Sequence, residues 1–256
     1  MRKQYIRILG VRINLVDVNN VLHYCIQRIK DNLNKKTILS YVNIHAVNIA
    51  LSDSKFKNFI NNSQLSFCDG YGIRIAAFLL GLTKPTRMTP PDWIDDLANV
   101  CIENHFSLYF LGAKEGIVQK ASDKLLKRHP KLKIVGTHHG YFNKNSSSVD
   151  TKNVIKKINN VKPDILLIGF GMPIQEYWIQ DNLNDIDAKI FFPVGAFFDY
   201  VSESKKRAPH LISRLGLEWC FRLLVEPKRM WKRYILGNPI FFYRVILEKV
   251  GFAKYD

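Results

Sequence analysis

The side chains best able to do chemistry stand just after short apolar runs. Leu65-Ser66-Phe67-Cys68 leads into Asp69, then Gly70-Tyr71-Gly72 and an apolar stretch from Ile73 to Leu80. Thr37 to Val42 leads into Asn43, with His45 and Asn48 close behind. Ile165 to Ile168 leads into Gly169-Phe170-Gly171, followed by Gln175 and Glu176. Arg87 sits in a loop stiffened by Pro85, Pro90 and Pro91. In an open α/β sheet, ligands bind outside the carboxyl ends of the strands. A carboxylate placed there can take a proton from an attacking hydroxyl. An arginine and helix N-termini can hold the charge that develops on a leaving diphosphate. The glycines after Asp69 leave room for a ligand. The set suits transfer from a phosphate-bearing donor. Asp69 is equally readable as the N-cap of a strand-to-helix turn. Glu176 is readable as a second candidate base or as an ordinary first-turn helix carboxylate.

Other chemistries lack their residues. Gly169-x-Gly171 has no third glycine at the dinucleotide spacing, so the pattern argues against an NAD-dependent oxidoreductase. It still lets a phosphate approach a helix N-terminus. His138-His139 is a lone pair, and Asp185-Ile186-Asp187 reads as a solvated turn, so no metal is expected. No GxSxG occurs, and no cysteine stands beside a histidine in an electropositive turn. The four cysteines are scattered, as in reduced, mostly buried thiols of a cytosolic protein.

The elements that must position these groups alternate along the chain. Residues 5–15 read as a short hairpin turning at Gly10, followed by a helix from Val18 capped by Asp17. Strands are expected at 37–42, 65–68, 106–111, 133–135, 165–168 and 190–194. Helices are expected near 54–61, 73–80, 91–104, 115–128 and 149–159, and another is opened by the stretch Gly169 to Glu176. Strand and helix in alternation, with glycines after strands, is the pattern of a Rossmann-like, mostly parallel sheet with helices on both faces.

The chain has 256 residues, 47% hydrophobic and 23% charged, with a net charge of +16. Such a charge implies a polyanionic partner. Residues 205–256 carry twelve Lys and Arg against four acids, half of the surplus in the last fifth of the chain. The expected division is therefore an α/β catalytic domain over 1–204 and a basic amphipathic helical appendage over 205–256. Arg207, Arg214 and Arg222 recur at helical spacing on one face, with Leu211, Leu215, Trp219 and Leu223 as apolar surface. Gly237-Asn238-Pro239 reads as a turn. Such a segment suits a helix lying in a lipid interface, or a solvated helix packed on the core. The basic start is not a signal peptide, and no window reaches the ~20 apolar residues of a spanning helix. RNA binding would fit the charge, but no RRM- or KH-type signature accompanies it. A basic membrane- or RNA-binding module on this scaffold is the competing non-enzyme reading.

Taken together, these motifs resemble the WecG/TagA/CpsF glycosyltransferases. The likeness is carried by Tyr41 to Asn48, Asp69-Gly70-Tyr71-Gly72, Arg87 before Pro91-Asp92, and Gly169 to Glu176. It continues through Pro193 to Asp199, Arg207-Ala208-Pro209, Gly216-Leu217-Glu218-Trp219 to Arg222, Glu226 to Arg229, and Arg233-Tyr234. The resemblance implies an inverting, metal-independent hexosyl- or N-acetylhexosaminyltransferase that uses no cofactor. It would move a sugar from a UDP-sugar to a polyprenyl-diphosphate-linked saccharide, in cell-surface polysaccharide or teichoic acid synthesis. It implies Asp69 as base, and donor contacts from Asn43, His45, Asn48, Gly70, Gly72, Arg87, Asp92, Gly169, Gly171, Gln175 and Glu176. Arg207, Arg214, Arg222, Arg229 and Arg233 would meet the acceptor diphosphate and the anionic membrane. The protein would lie peripherally on the cytoplasmic face, without nucleic acid, and a homo-oligomer is left open. The chain has Tyr41 where some members carry Thr, and Ser202-Glu203-Ser204 where many carry Gly. The N-acetylmannosamine donor of some relatives is therefore not carried over.

Overall fold

Six of the apolar runs become the strands of one sheet in a computed structural model that describes residues 4–31, 35–209, 212–213 and 215–255. They are β3 (Thr37–Val42), β4 (Leu65–Cys68), β5 (Ser107–Gly112), β6 (Lys133–His138), β7 (Ile165–Gly169) and β8 (Ile190–Pro193). The order is β4-β3-β8-β7-β5-β6. The pairings β3–β8, β8–β7, β7–β5 and β5–β6 are parallel. Every residue of β4, β7 and β8 is buried, which is why these runs are apolar without alternation. β1 (Tyr5–Ile8) and β2 (Val11–Asn14) form a separate antiparallel hairpin. Its turn residues Leu9 and Gly10 both have positive φ, 50° and 74°. That geometry matches the right-handed twist of the strands. Leu9 is fully buried, and its N–H donates to Glu248 Oε2 at 3.1 Å, which offsets the cost of a left-handed leucine.

Helices fill the connections: α1 (Val18–Lys30), α2 (Ile44–Ser52), α3 (Ser54–Asn62), α4 (Tyr71–Leu79) and α5 (Ile94–Asn104). They continue with α6 (Ile117–Arg128), α7 (Val149–Val161), α8 (Ile174–Asn182) and α9 (Phe197–Val201). The C-terminal stretch gives α10 (Glu218–Val225) and α11 (Pro227–Trp231). A π-helical turn, Lys232–Leu236, then joins α11 directly to α12 (Gly237–Lys249). This is an α/β, Rossmann-like fold with a helical C-terminal segment.

Contacts divide the chain into two compact units. One gathers Met1–Asp17, Tyr41–Thr89 and Lys206–Asp256; the other gathers Val18–Ser40 and Pro90–Lys205. The stretch expected as an appendage, 205–256, thus falls almost wholly in a unit with α2, α3 and α4. α12 packs on α2 and α4, burying Phe241 and Val245 completely. Asn48 Nδ2 ties it down by donating to Gly237 O at 2.8 Å.

Several local expectations need correction. The polar stretch after β3, where no element was expected before 54–61, is a helix, α2. Asn43 caps it, its Oδ1 accepting from Ala46 N at 3.1 Å. Gly237-Asn238-Pro239 opens α12 instead of turning the chain. Proline lacks an N–H but fits a helix start, and the π turn absorbs the register. Strand β6 runs on to His138, where a loop was expected. Arg207 and Arg222 do not share a helix: Gly216 has φ +78° and α10 begins only at Glu218. Arg214 lies outside the described residues.

Candidate active site

Asp69 closes β4, and its backbone fixes it there. Its N–H donates to Val42 O at 2.8 Å, next to the end of β3. On the other side Met88 N–H donates to Cys68 O at 2.8 Å, so the proline-stiffened loop runs along the end of β4. The side chain is not an N-cap. Gly70 takes that position at φ +90°, and no side chain caps α4. Freed from capping, the carboxylate is held at both oxygens. Asn43 Nδ2 donates to Oδ2 at 3.0 Å, and Thr89 Oγ1 donates to Oδ1 at 2.9 Å. Thr89 in turn accepts from Arg87 Nη1 at 2.9 Å. Asn43 therefore does two jobs, capping α2 with its oxygen and orienting Asp69 with its nitrogen. A carboxylate oxygen has two acceptor positions, so each retains one for a substrate hydroxyl.

The two glycines differ in role. A Cβ on Gly70 would meet nothing within 4 Å, so the site is open there. A Cβ on Gly72 would collide with the Ile44 side chain, so Gly72 serves the packing of α4 on α2 rather than ligand access.

Around Asp69 lies a cavity of about 550 Å³, built wholly within one unit. That volume is in the range of small-molecule sites. Asn43, His45, Asp69, Gly70, Gly72, Arg87, Arg222 and Arg233 all line it. Tyr71 faces Arg87 at 5.2 Å and Arg74 at 5.6 Å from its ring centre, and Gly216 abuts its ring. Burial, with Arg233 adding to it, pushes His45 down to about 4, so the imidazole is neutral at pH 7. Thr89 and Glu218 also line the cavity, although the sequence assigned neither a site role. Thr89 has no spacing that would mark it. Glu218, the first residue of α10, brings a second carboxyl group into the cavity. Burial raises its pKa first, the negative Asp69 adds to this, and Arg207, Arg222 and Arg87 pull the other way.

Other expected residues are not among those lining this cavity. Asn48 makes the tie to α12 already described. Arg207 acts on Glu218 through its charge, and Arg229 pairs with Glu226 at 2.9 Å; neither lines the cavity. Asp92 ends a 3-10 turn, Pro90–Asp92, in the other unit and is exposed. Gly169, Gly171, Gln175 and Glu176 belong to that unit too. Gln175 is fully buried. Its Oε1 accepts from Gly171 N and Gly195 N, both at 3.1 Å, pinning the turns after β7 and β8. Its Nε2 donates to Glu176 Oε1 at 2.8 Å. Glu176 is 1% exposed, not a solvated first-turn carboxylate, and burial raises it to about 7. A Cβ on Gly169 would meet Gly195 O at 2.7 Å, so this glycine lets the two turns approach. Among the described residues, no three His, Cys, Asp or Glu side chains converge as a metal site. Asp187 instead pairs with Lys162 at 3.1 Å.

The arrangement of one oriented carboxylate, an open glycine turn and several arginines can deprotonate a hydroxyl beside a diphosphate. Residues 6–255 match the glycosyl transferase WecG/TagA/CpsF family. The chain is 29% identical over 212 residues to the N-acetylglucosaminyldiphosphoundecaprenol N-acetyl-beta-D-mannosaminyltransferase of Staphylococcus aureus strain NCTC 8325 / PS 47. That match covers 83% of this chain and 80% of the relative. The enzymes of the same name from strains COL and MRSA252 match at the same identity and coverage. A family match over residues 6–255 spans nearly the whole sequence: the chain belongs to the WecG/TagA/CpsF family of glycosyltransferases.

Proposed function

We propose that the chain transfers an N-acetylhexosamine from a UDP-sugar to a sugar on a polyprenyl diphosphate, with inversion, as a step in cell-surface polymer synthesis. The observation that carries this reading is Asp69, held at both oxygens by Asn43 and Thr89 while facing a cavity that also bears Arg87, Arg222 and Arg233. The family match and the relatives' printed activity support the substrate classes. In the reaction, Asp69 accepts the proton of the acceptor hydroxyl as that oxygen attacks the donor's anomeric carbon. The bond from that carbon to the UDP oxygen breaks on the opposite face, and UDP leaves with the electron pair. A single displacement needs one base and inverts the centre. The arginines offset the charge of the diphosphates. They supply positive charge without a metal ion, so transfer is expected to be metal-independent.

The C-terminal helices fit attachment to the cytoplasmic leaflet. No described helix is long and apolar enough to cross a membrane. Leu224, Trp231, Ile235, Tyr243, Val250 and Phe252 are exposed, and Lys228, Arg229, Lys232, Arg244 and Lys249 stand among them. Apolar groups that enter the interface, ringed by cations, hold a protein on anionic lipid. Incubating the full chain with a UDP-N-acetylhexosamine panel and a sugar-diphosphate-polyprenol, with mass-spectrometric product detection, tests the proposal. One added N-acetylhexosamine, unaffected by EDTA, is the expected result. No product from any UDP-sugar would refute the reading, and loss on chelation would refute its metal independence.

A further inference from the structure

The Asp69 cavity has two chemical characters, and its polar half alone would satisfy a sugar and a diphosphate. Ile44 stands in the first turn of α2, and Ile75 lies one turn along α4 from Tyr71. Ile235, Pro239 and Phe242 add further apolar lining, beside Trp219, Tyr234 and Asn238. Ile75 and Ile235 are 47% and 52% exposed, which is unusual for isoleucines with no partner to cover them. Both apolar walls continue outward along their helices. Phe78 follows Ile75 by three residues on α4 and is 63% exposed; Ile246 follows Phe242 by four on α12 and is 52% exposed.

We propose that these walls hold the isoprene units nearest the acceptor's diphosphate, so that the enzyme recognises the lipid itself and not merely the membrane that contains it. The inference rests on the glycosyl-transfer reading above and commits to the acceptor rather than the donor. Arg222 and Arg233 meet a diphosphate, while the branched aliphatic side chains that share the lining match branched hydrocarbon. The side chains of Ile44, Ile75, Ile235 and Pro239 offer a uracil no hydrogen bond; Asn238 and Tyr234 share the lining and could, so the donor KM is part of the test. Each methylene removed from water is worth about 0.8 kcal/mol, so one isoprene seated on half-exposed walls should raise kcat/KM at least about tenfold.

The test uses water-soluble acceptors, sugar diphosphates esterified with methyl, prenyl or geranyl groups, without vesicles or detergent. Membrane partition then contributes nothing. With the full chain, kcat/KM should climb at least about tenfold from methyl to prenyl and again to geranyl. In Ile75→Ser the geranyl-to-methyl ratio should collapse toward one. Ile75 is half-exposed, and a thermal melt verifies that this variant folds. Equal turnover of methyl and geranyl esters would overturn the inference and leave the transferase reading intact. No turnover of any ester, beside turnover of the full-length lipid acceptor, would overturn it as well. A rise in the donor KM of Ile75→Ser, with the tail dependence unchanged, would give the walls to the nucleotide instead.

Discussion

Replacing Glu176 by Gln should flatten part of the protein's pH–stability profile. Glu176 is 1% exposed, with Oε1 accepting from Gln175 and Oε2 without a hydrogen-bond partner among the described residues. Burial raises its pKa from 4.5 to about 7, against the lowering effect of the Gln175 bond. The folded state therefore holds this proton at pH values where the unfolded chain has released it. The stabilisation is complete below 4.5 and is lost as pH rises through about 7. Each pH unit in that interval corresponds to about 1.4 kcal/mol, so the full loss is about 3 kcal/mol. Glutamine keeps an acceptor for Gln175 and never ionises. Urea unfolding of both proteins at pH 5, 6, 7 and 8 isolates the effect. His45, lowered to about 4, contributes stability above 6.5 that is lost toward pH 4, but it does so in both proteins and cancels in the difference. Stability relative to the parent should rise for Glu176→Gln by roughly 2–3 kcal/mol between pH 5 and pH 8, since part of the loss already lies below pH 5. A constant difference over that range would refute the buried-carboxylate argument.

Three further outcomes follow from the contacts. Gly72→Ala should destabilise by about 1–3 kcal/mol through its collision with Ile44, and Ile44→Val should recover part of this; urea midpoints decide it. Thr89→Val removes the hydroxyl linking Arg87 to Asp69, and loss of one hydrogen bond to a charged group should cut kcat by roughly 10- to 100-fold with little change in melting temperature. Unchanged kcat would remove Thr89 from the orienting set. Reversing Lys228 and Lys232 to Glu should weaken binding to anionic vesicles at least about 30-fold, since each basic residue near the leaflet is worth about 1 kcal/mol. Cosedimentation that ignores both the charges and the salt concentration would refute lipid docking.

Much of the sheet was legible because its strands are buried on both faces and read as unbroken apolar runs; β4 and β7 are examples. α2 was hidden because Asn43, His45 and Asn48 put polar side chains directly after the apolar run of β3. Each has a separate structural reason to be there: a cap, a cavity wall and a tie to α12. The position of Asp69 after a strand pointed to the site, but its freedom from capping depended on Gly70 adopting φ +90°. The arginine periodicity over 207–222 misled because a heptad-like spacing says nothing of Gly216, which breaks the helix between those residues. Neither Thr89 nor Glu218, the latter noted only as part of a motif, was given a place at Asp69. One reaches Asp69 only because the loop pairs with Cys68 O, and the other arrives from about 150 residues along the chain. Gln175 was read as a site residue from its glycine-rich setting. That setting exists because its buried amide accepts from two glycine N–H groups.

The central claim is that Asp69 is the base of sugar transfer. It is tested most directly with Asp69→Asn, in which Asn43 and Thr89 still find partners and the cavity keeps its shape. Turnover should fall at least about 1,000-fold, as expected when a general base is lost, while UDP still raises the melting temperature as it does in the parent. Turnover near the parental rate, with the same UDP-induced shift, would contradict the account.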